Sequence, residues 1–124
     1  MSLVLDAGAL IAVERGDRDT AAVIEVARQE NRAVIVPAGV VGQVWRGGGR
    51  QVRLARLLNA RDVLVEPLAD AGARAAGVLC GASGTTDVID ASVVLVARRH
   101  GATVMSSDRA DLELLDPTIP VVDC

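Results

Sequence analysis

The amino-acid sequence predicts an α/β fold, a three-layer α/β/α arrangement around a mostly parallel central sheet. Three observations carry that expectation. Short apolar runs rich in Val, Leu and Ile recur along the chain without alternating with polar residues, as strands covered on both faces require. Between them lie stretches whose apolar residues return every three or four positions, the period of a helix. Glycine, proline and aspartate punctuate the changeovers, and no spacer is long enough to divide the chain, so residues 1–124 read as a single domain.

The first strand is Leu3-Val4-Leu5, ending on Asp6. Ala7–Arg15 follows as a helix with Leu10, Ile11 and Glu14 at helical spacing, and Gly16 interrupts it. Asp17 caps a second helix of about a dozen residues along which Ala21, Ile24 and Ala27 are placed. Ala33–Val36 is a second strand, and Pro37 suits the first turn of the next helix, where its missing N–H costs nothing. Val40, Val41, Val44 and Trp45 mark the apolar side of that helix, which stops at Gly47-Gly48-Gly49. Arg50–Leu58 reads as a basic amphipathic helix, and Asp62–Val65 as a third strand ended by Pro67. Asp70 opens a helix through Cys80, followed by a small-residue loop at Gly81–Gly84. Asp87–Arg99 is the strongest helix, closed by Gly101. Thr103–Met105 is a strand, Arg109–Leu115 a short helix and Ile119–Val122 the last strand.

Composition narrows the function. The chain is 51% hydrophobic and 23% charged with a net charge of −3, enough apolar material for one core. No uncharged apolar stretch approaches the roughly 20 residues needed to cross a bilayer, and Asp6 breaks the apolar N-terminal run. A cytoplasmic protein without a membrane partner is therefore expected. Two cysteines, Cys80 and Cys124, are too few for a disulfide framework. All 13 basic residues are arginine, which excludes any mechanism built on a lysine Schiff base, P-loop or phosphate clamp. Trp45 is the only aromatic residue and fits either a core or a groove position. A platform of several stacked rings for coating single strands is thus disfavoured, and the acidic balance argues against non-specific coating of nucleic acid.

In an open parallel sheet, chemistry gathers at the carboxyl ends of the strands. Asp6 and Asp108 follow two of those strands. A helix that feeds a parallel strand begins at the same edge, which puts Asp87 and Asp90, one turn apart, on that rim. Taken singly, Asp87 also reads as an N-cap with Asp90 favouring the helix dipole, and Asp108 as a cap of the helix after it. Asp6 is different, because an unpaired carboxylate behind a buried strand is costly and needs an arginine or a metal. Together the four acids favour a hard divalent cation, Mg²⁺ or Mn²⁺. Zinc is disfavoured, since the single histidine, His100, reads as a surface residue at the far end of its helix. With no Ser–His or Cys–His pair in reach, covalent catalysis is a poor fit.

Basic and apolar surfaces add candidate partners. Arg46, Arg50, Arg53 and Arg56 recur every three or four residues, along or near one stripe suited to RNA phosphates, an acidic protein segment or simply solvent. Leu10, Ile11, Val13, Val23, Ile24 and Val26 make the first two helices unusually apolar; most of these side chains are expected in the core, and any surplus is a candidate protein interface.

Three stretches in order resemble the motifs of PIN domains. They are Leu3-Val4-Leu5-Asp6-Ala7-Gly8-Ala9-Leu10-Ile11, Thr86-Asp87-Val88-Ile89-Asp90-Ala91-Ser92-Val93, and Val104-Met105-Ser106-Ser107-Asp108 with Asp111-Leu112 after it. The sequence looks most like VapC-type toxins. That resemblance implies a Mg²⁺-dependent endoribonuclease acting on RNA, held inactive by a VapB-like antitoxin whose C-terminal segment sits against the first helices, in a homodimer. Asp6, Asp90 and Asp108 match the family's metal-binding acids, and Asp87 an additional acid; a metal there would activate water for phosphodiester hydrolysis. Where the family usually places a glutamate, this chain has Gln43, which offers a carbonyl oxygen but neither charge nor base. A catalytically weakened PIN domain, acting mainly as a binding partner within a toxin–antitoxin complex, is therefore the second reading. Other folds with acids at strand ends fit worse: a phospho-receiver needs a lysine, a haloacid-dehalogenase-like phosphatase needs an acid where Gly8 stands, and Gly47–Gly49 follows a helix rather than the strand of a dinucleotide site.

Overall fold

A computed structural model describes all 124 residues. Five strands, β1 (Leu3–Leu5), β2 (Val34–Pro37), β3 (Val63–Glu66), β4 (Thr103–Ser106) and β5 (Val121–Asp123), form one sheet in the order β3-β2-β1-β4-β5. Every pairing is parallel, with Leu3 level with Val34 and Thr103. Seven helices complete the fold: α1 (Ala7–Arg15), α2 (Arg18–Gln29), α3 (Ala38–Val44), α4 (Val52–Leu58), α5 (Asp70–Ser83), α6 (Val88–His100) and α7 (Arg109–Leu115). The expected α/β/α architecture holds.

Central strands β1 and β2 are wholly buried, which explains their unbroken apolar sequence. Edge strands behave differently, for Leu64 on β3 is 50% exposed and β5 is largely solvent-facing. Leu5, Leu10, Ile35, Leu54, Met105 and Leu112 are the largest fully buried side chains, each contributing about 2–3 kcal/mol of apolar burial. α6 lies deepest of the helices, with Ala91, Val93, Val94, Val96 and Ala97 buried against the sheet and α5.

Several boundaries differ from the sequence reading, each for a local reason. Pro37 closes β2 and stands just outside α3, because its ψ of 136° keeps it extended and paired with Glu66. Gly81–Gly84 is not a loop: α5 runs on to Ser83 and stops only where Gly84 turns left-handed at φ 71°. Arg50 belongs to a 3-10 turn at Gly49–Gln51, and α4 begins at Val52, since three consecutive glycines weaken any helix leading into it. The last strand starts at Val121 rather than Ile119, after Pro120.

Candidate active site

The sheet's carboxyl edge is built first by β1 and β4. Asp6 follows β1 directly, is 4% exposed, and caps α1 by accepting the Ala9 N–H at 3.1 Å. Parallel pairing of Leu5 with Met105 brings the next residues, Asp6 and Ser106, side by side. The buried Ser106 hydroxyl lies beside the Asp6 carboxylate and favours its charged form, and its oxygen accepts the Asp108 N–H at 2.8 Å. One serine thus ties two of the predicted acids together. Asp108 stands at the start of α7 yet its carboxylate makes no capping bond, leaving it exposed at the rim.

α6 brings the other pair. Asp87 caps it, accepting the Asp90 N–H at 2.9 Å, so its capping role is real and coexists with its place on the rim. Asp90, half-buried, is pushed up to about 7, first by burial and then by Asp87, Asp111 and Asp6. Burial likewise raises the Asp6 carboxyl, with hydrogen bonds from Ser106 and Ala9 pulling it back part of the way and Asp108 adding to the rise. Asp111, in the first turn of α7, was not among the predicted site residues; it shares a cleft with Thr85, Thr86, Asp87 and Asp90. Its signal was its place one turn beyond Asp108.

None of Asp6, Asp87, Asp90, Asp108 or Asp111 has an arginine within ion-pair distance. Glu66, at the end of β3, gives the contrast. Arg99 donates to it at 2.6 Å and His100 lies 2.7 Å away; these contacts hold its carboxyl below the ordinary range despite burial. His100 is accordingly a half-buried partner of Glu66 rather than a free surface residue.

The unpaired acids form an open rim. No three Asp, Glu, His or Cys side chains stand close enough together to enclose an ion unaided, although Asp6 is electrostatically coupled to both Asp90 and Asp108. The donor chemistry suits Mg²⁺ or Mn²⁺, hard cations that keep several waters and need only one or two carboxylates from the protein. α3 packs tightly on the start of α6, where a Cβ on Gly39 would come within 2.5 Å of the Ile89 side chain. Gln43 lies one turn farther along the same side of α3, exposed and with no side-chain hydrogen bond.

The four arginines separate into two pairs. α3 ends before Arg46, whose guanidinium folds back to the carbonyls of Gly42, Gln43 and Trp45. Gly48, at φ 92°, then turns the chain, so Arg46 and Arg50 lie on the connector while Arg53 and Arg56 share a face of α4. Arg53 and Arg56 edge a groove whose apolar floor includes Val13, Ile24 and Leu57, between α1, α2 and α4. No single helix is long and apolar enough to cross a membrane.

Against known proteins, the family model described as PIN domain matches residues 3–115. No curated protein matches the sequence. Among solved structures, VapBC2 from Rickettsia felis bound to a DNA fragment from their promoter aligns with a TM-score of 0.72 at 13% identity, covering 99% of this chain and 98% of that one. FitAB bound to an IR36 DNA fragment aligns at 0.65 with 16% identity, over 98% and 94% of the two chains. FitAcB from Neisseria gonorrhoeae aligns at 0.62 with 16% identity, over 96% and 95%. These likenesses are of fold.

Proposed function

The chain belongs to the PIN-domain family, and on that premise we propose that it is a metal-dependent endoribonuclease, the toxin of a VapBC-type toxin–antitoxin pair. One observation carries the enzymatic reading: a buried carboxylate, Asp6, lacks any cationic partner and is coupled to Asp90 and Asp108, which lack one too. A rim of that charge has an evident use only when a cation completes it.

Asp6, Asp90 and Asp108 are the residues that would hold Mg²⁺ or Mn²⁺. When bound, the ion supplies Lewis-acid stabilisation of the phosphoryl oxygens and makes water a competent nucleophile near neutral pH. The chain's own work is positional. Ala9 N–H fixes the Asp6 carboxylate, and the neighbouring Ser106 Oγ holds the backbone of Asp108. Asp87 spends one oxygen on the Asp90 N–H, leaving the other to orient water toward a phosphate. Gln43, where the family usually has a glutamate, would offer a carbonyl oxygen and no charge.

Likeness in fold to VapBC2 and FitAB supports the partnered part of the reading. The groove between α1, α2 and α4, apolar below and edged by Arg53 and Arg56, suits an acidic amphipathic segment of a VapB-like antitoxin. A homodimer follows from the family resemblance.

Gln43 favours the second reading, a weakened PIN domain that serves mainly as a binding partner. Cleavage of single-stranded RNA by the purified chain separates the two. The expected result is Mg²⁺- or Mn²⁺-dependent cutting that EDTA and Asp6→Asn abolish, with the variant's circular dichroism unchanged. Cutting by a metal-stripped sample would remove the mechanism, and absence of both cutting and calorimetric metal binding would leave the binding partner.

A further inference from the structure

Trp45, the only aromatic residue of the chain, is 41% exposed at the carboxyl end of α3, two residues beyond Gln43. A tryptophan is the costliest apolar side chain to leave in water, and the core has no share in this one's outer face. Its flanks carry positive charge. Arg46 and Arg50 lie on either side of the turn that follows it, without a carboxylate partner. Gly47, Gly48 and Gly49 between them have open space where side chains would stand. The patch thus combines one flat ring, two arginines without a carboxylate partner, of which Arg46 is held to backbone carbonyls, and bare backbone.

This corner of the molecule is also held still. Gln51 is buried, accepting the N–H groups of Arg46 and Gly47 and donating to the Val44 carbonyl and to Glu14 in the last turn of α1. α3 leaves the carboxyl edge of the sheet at Pro37 and ends at Trp45 after seven residues, which puts Trp45 about 10–12 Å along the helix axis from that edge. A strand of RNA threaded over the rim reaches that far within a few nucleotides.

We propose that Trp45 stacks on one unpaired RNA base a few nucleotides from the scissile phosphate, with Arg46 and Arg50 on the neighbouring phosphates. The proposal rests on the ribonuclease reading and adds to it a substrate contact: a single-stranded segment is held by one ring. A single ring suffices for one base; it is the coating of long strands that needs several.

The lone tryptophan is its own reporter. Mixed-sequence single-stranded oligoribonucleotides are titrated into the protein in EDTA, which prevents cutting, with inorganic polyphosphate and duplex RNA as controls. Saturable quenching of Trp45 fluorescence by the single strand alone is expected. Labelled-RNA anisotropy should show Trp45→Leu binding between about 5- and 150-fold more weakly, with Trp45→Phe recovering most of the affinity. Unchanged fluorescence together with equal affinity for Trp45→Leu overturns the stacking contact while leaving the ribonuclease reading intact. Quenching by polyphosphate as strong as by RNA overturns it as well, since charge alone would then explain the signal. Failure of the wild-type protein to bind or cut any of the RNAs, Mg²⁺ restored, sinks the ribonuclease reading and this contact with it.

Discussion

Asp6 and Asp90, unlike Glu66, have no counter-charge, and that difference is measurable without any substrate. Asp90 rises from the ordinary 3.8 to about 7, burial being the largest cause and Asp87, Asp111 and Asp6 the rest. The folded protein therefore keeps a proton that the unfolded chain has already released. Stability associated with that proton is whole below pH 3.8 and is lost as the pH climbs through about 7. Asp90→Asn never acquires the charge. Without metal, the variant should be the more stable protein at pH 8 by about 1–2 kcal/mol, a figure kept small because the group is only half-buried and water screens it. Near pH 4 the two should coincide, and millimolar Mg²⁺ should narrow the gap at pH 8. Urea unfolding at the two pH values decides it, and a wild type more stable than Asp90→Asn at pH 8 would mean that the rim does not repel itself. Asp6, Asp87, Asp90 and Asp108 were legible because strand ends and helix starts are local features of a sequence. Ser106 was not, because it meets Asp6 only through the β1–β4 ladder, and Asp111 gains its meaning only from the way α7 turns back toward α6.

Between elements, the connector from α3 to α4 shows what local pattern misses. A basic helix from Arg50 was a fair reading of the arginine spacing, yet the chain is organised by the polar residue inside that stretch. Gln51 uses both lone pairs and both amide protons, at 2.9 and 3.0 Å to Arg46 and Gly47 and at 2.9 and 2.6 Å to Val44 and Glu14. No periodicity announces a buried glutamine one of whose partners, Glu14, sits 37 residues away in α1. Gln51→Leu keeps the bulk and strands two N–H groups and a carbonyl. A loss of about 2–4 kcal/mol is expected in urea unfolding, with the connector's amides exchanging hydrogen faster than those of β1 and β2. A loss under about 0.5 kcal/mol would show that water replaces the glutamine without penalty. The α5 boundary went astray for the opposite reason: Gly81-Ala82-Ser83 looks like a loop in composition, but a helix already nucleated by Asp70–Cys80 carries on until a residue adopts the left-handed conformation, which Gly84 does.

Over the whole molecule, a net charge of −3 conceals an uneven spread of unpaired charge. Arg15, Arg18, Arg46, Arg50, Arg53, Arg56 and Arg61 have no carboxylate partner, and all come from the first half of the chain. Of the acids without a basic partner, Asp6, Asp87, Asp90, Asp108 and Asp111 come from the end of β1 and the starts of α6 and α7, while Glu14, Asp17 and Asp19 lie on α1 and at the start of α2. The parallel sheet was readable from its apolar runs and already implied the acid rim. The division of the arginines was not, since it depends on a turn at Gly48 that spacing alone does not reveal. That division yields a quantitative expectation for single-stranded RNA. Binding that releases counterions from single strands weakens with salt by about 0.7 logarithmic unit per neutralised phosphate. Arg46→Ala/Arg50→Ala should lower the slope of log affinity against log salt by about 1.4. Arg53→Ala/Arg56→Ala should leave it within about 0.3 of wild type, because that pair edges the groove between α1, α2 and α4. Equal losses from both variants would mean that RNA crosses the groove as well as the connector, and the groove would no longer be free for a protein segment while RNA is bound.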